Sequence, residues 1–270
     1  MLEHYFSIVI LSIIQGITEF VPISSSGHLV LLHNILPELK INELAFDVFL
    51  HTGTLLAVVV FFWSDLVKIF INWLRNLLKM NFRATEARLG WLLIISTIPA
   101  VAAGYFFEDL IEKNLRSNLV VAVMLVVVGL LFLLAEYYSK QQQVIIKLNW
   151  KNALFIGIAQ AAALIPGTSR SGITIIAGMA SKLKREDAVR FSFLISVPIV
   201  LGATIKKIPA ISAAIFDGNL LSFSMSAIIS FITAYFVIKY LLIYLKNHSL
   251  NIFAYYRFVL ATVILILYFI

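Results

Sequence analysis

Eight long apolar runs account for most of this chain, and two of them are broken where a membrane-crossing sequence should be continuous. Uninterrupted stretches lie at approximately 45–63, 91–107, 118–137, 188–206, 220–243 and 252–270. They have the length, about 17–25 residues, that a helix needs to cross roughly 30 Å of hydrocarbon. The stretches 5–36 and 153–181 are equally apolar but carry "PISSSG" and "PGTSRSG" mid-way. Irregular polar backbone survives at membrane depth only where it is buried in protein or lines a wet cavity. Each broken stretch therefore reads as a re-entrant helix–loop–helix that enters and leaves on one side. The expected fold is an all-α polytopic membrane protein, with six transmembrane helices and two re-entrant hairpins in one membrane domain over 1–270. Composition agrees: 61% of residues are hydrophobic and 13% charged, against about half and a quarter in soluble domains.

The charges are placed by topology. Lys68, Arg75, Lys79, Arg83 and Arg88 fill 64–90, Lys140, Lys147 and Lys151 fill 138–152, and "SKLKRED" adds Lys182, Lys184 and Arg185. The stretch 108–116, "EDLIEKNLR", is acidic on balance. The positive-inside rule then puts the basic loops in the cytoplasm and 108–116 outside, with both termini outside. Lys206 and Lys207 count against that orientation. Leu66, Ile69, Phe70, Trp73, Leu74 and Leu77 form an apolar stripe opposite Lys68, Arg75 and Lys79, which predicts an interfacial helix on the anionic inner leaflet. The net charge of +7 is thus topological, and no nucleic-acid site is expected from it. The start, "MLEHYFSIVI", lacks a basic n-region and a small-residue cleavage site, so no removable signal peptide is read. There is no cysteine, which excludes disulfides, thiolate nucleophiles and Cys-ligated metals.

The two breaks repeat one another. Gln15 and Gly27 bracket the first, Gln160 and Gly172 the second, at a common offset of 145 residues that also carries Phe46 onto Phe191 and Ala57 onto Gly202. One repeat would occupy about 1–137 and the other about 150–270. Each holds a hairpin plus three spans, an odd number, so the second copy must be inverted. Inverted repeats with broken helices facing each other build polar sites inside membranes.

In the first break Gln15 and Glu19 share a helix face. Pro22 disfavours helix at Val21, Ser24, Ser25 and Ser26 supply hydroxyls and N–H groups, and Gly27 is expected to make the turn into a helix starting near His28. A lone serine in a membrane helix is usually interhelical glue, but three beside Gly, Pro, His and Glu point to a site. An intramembrane carboxylate such as Glu19 costs about 2.5–3.5 kcal/mol on insertion scales unless it is paired or used. His33, His51 and His248 are read as polar contacts. The second break is an anion cradle by composition, with Gly167 and Gly172 for close approach, Thr168, Ser169 and Ser171 for hydroxyls, and Arg170 for a bidentate fork. Arg170 wants either an anion or an ion pair with Glu19 across the repeat axis. Arginine, helix N-termini, hydroxyls, a carboxylate and a histidine together make a phosphoryl-transfer constellation. No GxSxG, HExxH, P-loop or GxGxxG is present, so serine-hydrolase, zincin and nucleotide-binding readings lack their signatures.

"QGITEFVPISSSGH" and "PGTSRSG" resemble the two signature motifs of the undecaprenyl-diphosphate phosphatases, the bacitracin-resistance family. The resemblance covers essentially the whole chain. It implies hydrolysis of a polyprenyl diphosphate to the monophosphate during recycling of the cell-wall lipid carrier, in the bacterial plasma membrane. A divalent cation, Mg²⁺ or Ca²⁺, would assist, and the site would open to the outer face. By matching positions, Glu19, Ser25, His28 and Arg170 are the expected catalytic residues, with Ser24, Ser26, Thr168 and Ser169 binding phosphate beside Arg170. Gln15 stands where some relatives carry a second glutamate, so Glu19 is the expected metal ligand and Gln15 a second candidate. Ser25 would be the nucleophile and His28 its base or the leaving-group acid; a histidine nucleophile and direct attack by water are the alternatives. Partners are the prenyl lipid and the bilayer, with a homodimer compatible. A transporter for a phosphate-bearing lipid is the rival of another class, and a lipid-binding scaffold without turnover a third.

Overall fold

The computed structural model describes residues 2–36, 43–81, 84–115, 117–214 and 220–269. Within them lie eleven α-helices: α1 (Leu2–Thr18), α2 (Ser25–Ile35), α3 (Glu43–Phe61), α4 (Trp63–Leu78), α5 (Thr85–Asn114), α6 (Asn118–Tyr138), α7 (Trp150–Ala162), α8 (Arg170–Ala180), α9 (Arg185–Ala214), α10 (Leu220–Tyr244) and α11 (Asn251–Phe269). No strand occurs among the described residues. Five helical stretches, Ala87–Phe107, Asn118–Tyr138, Arg185–Pro209, Leu220–Tyr244 and Asn251–Phe269, are long and apolar enough to cross a membrane. The sixth expected span, 45–63, corresponds to α3, which meets that criterion only together with α4, from which it is bent by 76°. The chain is a polytopic helical membrane protein.

The apolar stripe lies on α4, which buries no residue: Leu66 and Ile69 pack against the core and Trp73 meets Trp91 of α5, while Phe70 is broadly exposed. A strongly amphipathic helix bent sharply off a span lies naturally along a membrane surface. The segment 108–116 departs from its expected loop, because α5 stays helical to Asn114; the side chains of residues 108, 109, 112, 113 and 116 lie outside the described residues. Pro99 in α5 and Pro198 and Pro209 in α9 are carried inside helices, as neighbouring elements in membrane bundles allow.

Small residues set the helix contacts. A Cβ on Gly53 of α3 would lie 2.1 Å from Ser230 Oγ and 2.4 Å from Ala227 O of α10, so glycine is what lets these two helices approach. On the basic side, Arg185 donates twice to Glu136, at 2.8 and 2.6 Å. Glu136 also accepts from Leu250 N at 2.7 Å, tying α6, α9 and the start of α11 together. Beneath the breaks, Phe20 and Phe193 pack edge to face with centroids 5.0 Å apart, and Phe62 extends the stack at 6.5 Å. This aromatic floor is buried and positions the residue before it, Glu19.

Candidate active site

Each break ends in a serine with an unusual backbone. Ser24 (φ 76°, ψ 95°) caps α2 by accepting from Gly27 N at 3.3 Å, and Ser169 (φ 70°, ψ 111°) caps α8 by accepting from Gly172 N at 3.1 Å. Both hydroxyls also sit 3.2 Å from a serine two residues on, Ser26 and Ser171. Positive φ at a residue with a Cβ costs of order 1–3 kcal/mol and persists where the surroundings enforce it. The turn thus falls on Ser24, and α2 begins at Ser25. Gly27 lies inside α2, where a Cβ would make only ordinary contacts at 3.4 Å, so the expected glycine turn near His28 is corrected. Gly167 is different: its φ is 89°, and a Cβ would lie 2.5 Å from Val121 O, so only glycine fits.

The breaks face one another and are bonded directly. Gly167 N donates to Ser26 Oγ at 3.2 Å, and Ser171 Oγ donates to the Glu19 carbonyl at 3.2 Å. Arg257 of α11, fully buried, closes the arrangement. Its guanidinium donates to five carbonyls: Pro22 of the first break (3.3 Å), Gly167 (2.8 Å) and Thr168 (3.1 Å) of the second, and Met124 and Leu125 of α6 (3.2 Å each). Carbonyls freed from helix ladders need donors in a dry interior, and the planar fork reaches several at once.

Glu19 is the centre of the polar cluster. Its Oε1 accepts from Arg170 Nη2 at 2.6 Å, which realises the ion pair across the breaks. Its Oε2 accepts from Ser25 Oγ and from Gln15 Nε2, both at 3.1 Å, and lies 3.3 Å from His51 Nδ1. Gln15 Nε2 in turn lies 2.9 Å from His51 Nδ1. Arg170 Nη1 points to Ser192 O at 3.4 Å, and Thr174 Oγ1 bonds Ser192 Oγ at 2.7 Å, so α9 steadies the start of α8.

Gln15, Glu19, Ser25 and Arg170 are therefore brought together. Ser24 and Ser169 cap helices, Ser26 bridges the breaks, and Thr168 Oγ1 is buried with no partner among the described residues. His28 turns elsewhere: Nδ1 lies 2.7 Å from Ser24 O and Nε2 2.8 Å from Tyr256 OH, with the two rings stacked. A carbonyl only accepts, so Nδ1 donates to Ser24 O, and Nε2 is hydrogen-bonded to the Tyr256 hydroxyl. His248 stacks on Tyr244 at 4.2 Å as an ordinary polar contact, and the His33 side chain lies outside the described residues.

Tyr256 and Arg257 are not singled out in the sequence reading, and His51, expected to be an ordinary polar contact, instead joins the Glu19 cluster. Arg257 carried a usable signal, a lone cation inside the apolar stretch 252–270, where charge is functional or structural by default. His51 sits in α3, far from either motif, and nothing local marks it.

No group of three or more His, Cys, Asp or Glu that could hold a metal occurs among the described residues, so a cage made of such side chains is not built here. The cluster nonetheless fits a cation shared with substrate oxygens. Gln15 Oε1 is a buried amide oxygen without a partner among the described residues, while its Nε2 lies beside a carboxylate oxygen and an imidazole nitrogen.

Fold and site together define a polytopic membrane protein with a buried carboxylate, arginine and serine set where two broken helices meet, residue types that phosphoryl transfer uses. The sequence model of the family described as "Bacitracin resistance protein BacA" matches residues 8–263, and the chain belongs to that family. It is similar to proteins named undecaprenyl-diphosphatase. That of Alteromonas mediterranea is 41% identical over 260 residues, covering 96% of this chain and 97% of the relative. That of Rubrobacter xylanophilus is 42% identical over 259 residues, covering 95% of each, and that of Aliivibrio salmonicida 43% over 263 residues, covering 97% of each.

Proposed function

We infer that the chain is an integral-membrane undecaprenyl-diphosphatase, hydrolysing undecaprenyl diphosphate to undecaprenyl phosphate and orthophosphate. Family membership over nearly the whole chain supports the activity. The observation that carries the chemistry is the Ser25 Oγ–Glu19 Oε2 hydrogen bond at 3.1 Å, with Arg170 on the other carboxylate oxygen.

Ser25 Oγ attacks the terminal phosphorus while Glu19 takes its proton. The new Ser–O–P bond forms as the anhydride P–O bond breaks, and undecaprenyl phosphate leaves. Water then cleaves the phosphoserine, releasing orthophosphate. Arg170, the N–H groups at the starts of α2 and α8 and the orphaned Thr168 hydroxyl bind the terminal phosphate, where fixed donors stabilise developing charge. Glu19 replaces His28 as the base, because the imidazole is committed to Ser24 O and Tyr256; His28 orients the first break. Glu19 and Gln15 are the residues that would hold a divalent cation, which would supply neutralisation of the diphosphate leaving group.

The reading places the chain in the bacterial plasma membrane, with basic α4 on the cytoplasmic leaflet and the site open to the opposite face, in an inverted repeat. The Lys/Arg distribution and the matched caps at Ser24 and Ser169 support it. The purified protein in detergent, incubated with a prenyl diphosphate, should release orthophosphate. A lipid carrier needs two-sided membranes and leaves the anhydride intact; intact substrate would overturn the assignment.

A further inference from the structure

A cavity of about 550 Å³ opens at the basic end of the bundle, where the starts of α5 and α7 meet, lined by Arg88, Trp91, Leu92, Ile95, Asn149 and Trp150. It is not part of the polar cluster at the breaks, since the whole of α7, 13 residues or about 20 Å of helix, separates Trp150 from the second break. The lining is graded. Arg88 is exposed in the first turns of α5 and has no hydrogen-bond or ion-pair partner among the described residues. Trp91, Leu92 and Ile95 follow it on one helix face, which carries the lining about 10 Å along α5 to the buried Leu92 and half-buried Ile95. From α7, Trp150 is broadly exposed, and Lys151 Nζ lies 5.7 Å from the centroid of its ring, a second cation at the rim. Asn149 accepts from Asn152 N at 2.9 Å through Oδ1, which leaves its NH₂ as a donor.

Asp65, Glu136 and Asp187, acids at this end of the bundle, are engaged with Arg190, Arg185 and the Ile145 N–H. The rim is therefore cationic without an internal counter-charge on those residues. The larger groove on α5, about 630 Å³ between α4, α5 and α9, has no charged residue in its lining and matches hydrocarbon alone. The smaller cavity instead fits an amphiphile with an anionic head. A phosphate diester would meet Arg88, Lys151 and the Asn149 NH₂. The ester level would meet two indoles, which suit the membrane interface, and the first acyl carbons would lie on Leu92 and Ile95. Basic pockets between membrane helices take such headgroups.

We propose that this cavity is a binding site for one anionic phospholipid, with Arg88 as its phosphate contact. The site involves neither break, so it stands apart from the phosphatase reading. Two of the four tryptophans of the chain line the cavity, and bromine on an acyl chain quenches indole emission at close range. The full chain is reconstituted in phosphatidylcholine vesicles containing small fractions of brominated phosphatidylglycerol or brominated phosphatidylcholine. Phosphatidylglycerol should quench with at least about fivefold higher relative affinity, and Arg88→Gln should lower that preference about fivefold, the effect of one cation near an anionic lipid. Arg88→Lys should keep most of it, since a singly charged diester needs the charge more than the fork. Trp150→Phe should diminish the selectively quenched emission. Lys246 is exposed in the loop after α10, a helix that packs on α1 and α3, and Lys246→Gln should change the preference less than about twofold in physiological salt. Equal quenching by the two lipids, or undiminished selective quenching in Trp150→Phe, would overturn the site. Equal falls in Arg88→Gln and Lys246→Gln would overturn it too, by showing only the general positive potential of this end. Inorganic phosphate should not displace the lipid; displacement would assign the cavity to a soluble anion instead.

Discussion

Glu19 and Arg170 approach to 2.6 Å from opposite breaks, 151 positions apart in sequence. Both side chains are mostly buried, so each compensates the other's charge, with His51 beside the other carboxylate oxygen.

Replacing Arg170 should therefore have separable effects on rate and stability. Arg170→Lys keeps charge but loses the fork, and kcat/KM for prenyl diphosphate should fall at least about tenfold, about 1.4 kcal/mol. Arg170→Ala leaves the carboxylate unpaired and should cost about 3–5 kcal/mol of stability. Adding Glu19→Gln should recover much of that stability without recovering turnover. Thermal unfolding and phosphate release across the double-mutant cycle check both halves. Additive stability losses would show that the pair is not coupled.

Arg257 is expected to act on architecture. Pro22, Gly167 and Thr168 present carbonyls from the breaks to one guanidinium, and each orphaned carbonyl costs about 1–3 kcal/mol. Arg257→Met should lower the unfolding midpoint in detergent sharply and open both breaks to proteolysis. Arg257→Lys should recover only part, since a compact ammonium cannot span the set. An unchanged midpoint in Arg257→Met would remove this role.

Two glycines make opposite predictions. At Gly53 a Cβ meets backbone at 2.4 Å, so Gly53→Ala must push α3 from α10 at about 1–3 kcal/mol. At Gly202, inside α9, a Cβ would meet nothing within 4 Å among the described residues, and Gly202→Ala should stabilise by about 0.5–1 kcal/mol through helix propensity. Thermal midpoints that move in the same direction would contradict this reading of the contacts.

The broken runs were legible because polar backbone in an apolar stretch has few physical outcomes, and the repeat offset pointed from one break to the other. Glu19 and Arg170 followed from residue chemistry within those motifs, and Ser25 from the resemblance at matching positions. The direction of the His28 ring was not legible, because the proximity of 25 and 28 in sequence says nothing about it; Ser24 O and Tyr256, the latter 228 residues away, set it. His51 and Arg257 reach the site from α3 and α11, and one sequence holds no record of which spans pack together. The turn was assigned to Gly27 by conformational preference. Cross-break bonds at Ser26 and Ser171 instead brace the unfavourable backbone of Ser24 and Ser169.

The serine run offers the sharpest separation of chemistry from scaffold. Ser25 Oγ donates to Glu19, whereas Ser24 Oγ caps α2 and Ser26 Oγ receives Gly167 N. Loss of a nucleophile removes a covalent step, so Ser25→Ala should lower kcat by orders of magnitude with substrate binding largely retained. Loss of a cap costs about 0.5–2 kcal/mol of stability, so Ser24→Ala should be felt in the unfolding midpoint. At Ser24 the new residue must also hold φ 76°, which deepens that loss. Ser26→Ala removes one neutral hydrogen bond between the breaks, about 0.5–1.5 kcal/mol, and should change turnover by roughly tenfold at most. Phosphate release and thermal unfolding on the three variants distinguish these outcomes. Similar tenfold losses of rate at all three positions would mean that the run only cradles phosphate and that water is the attacking group, with Glu19 as its base.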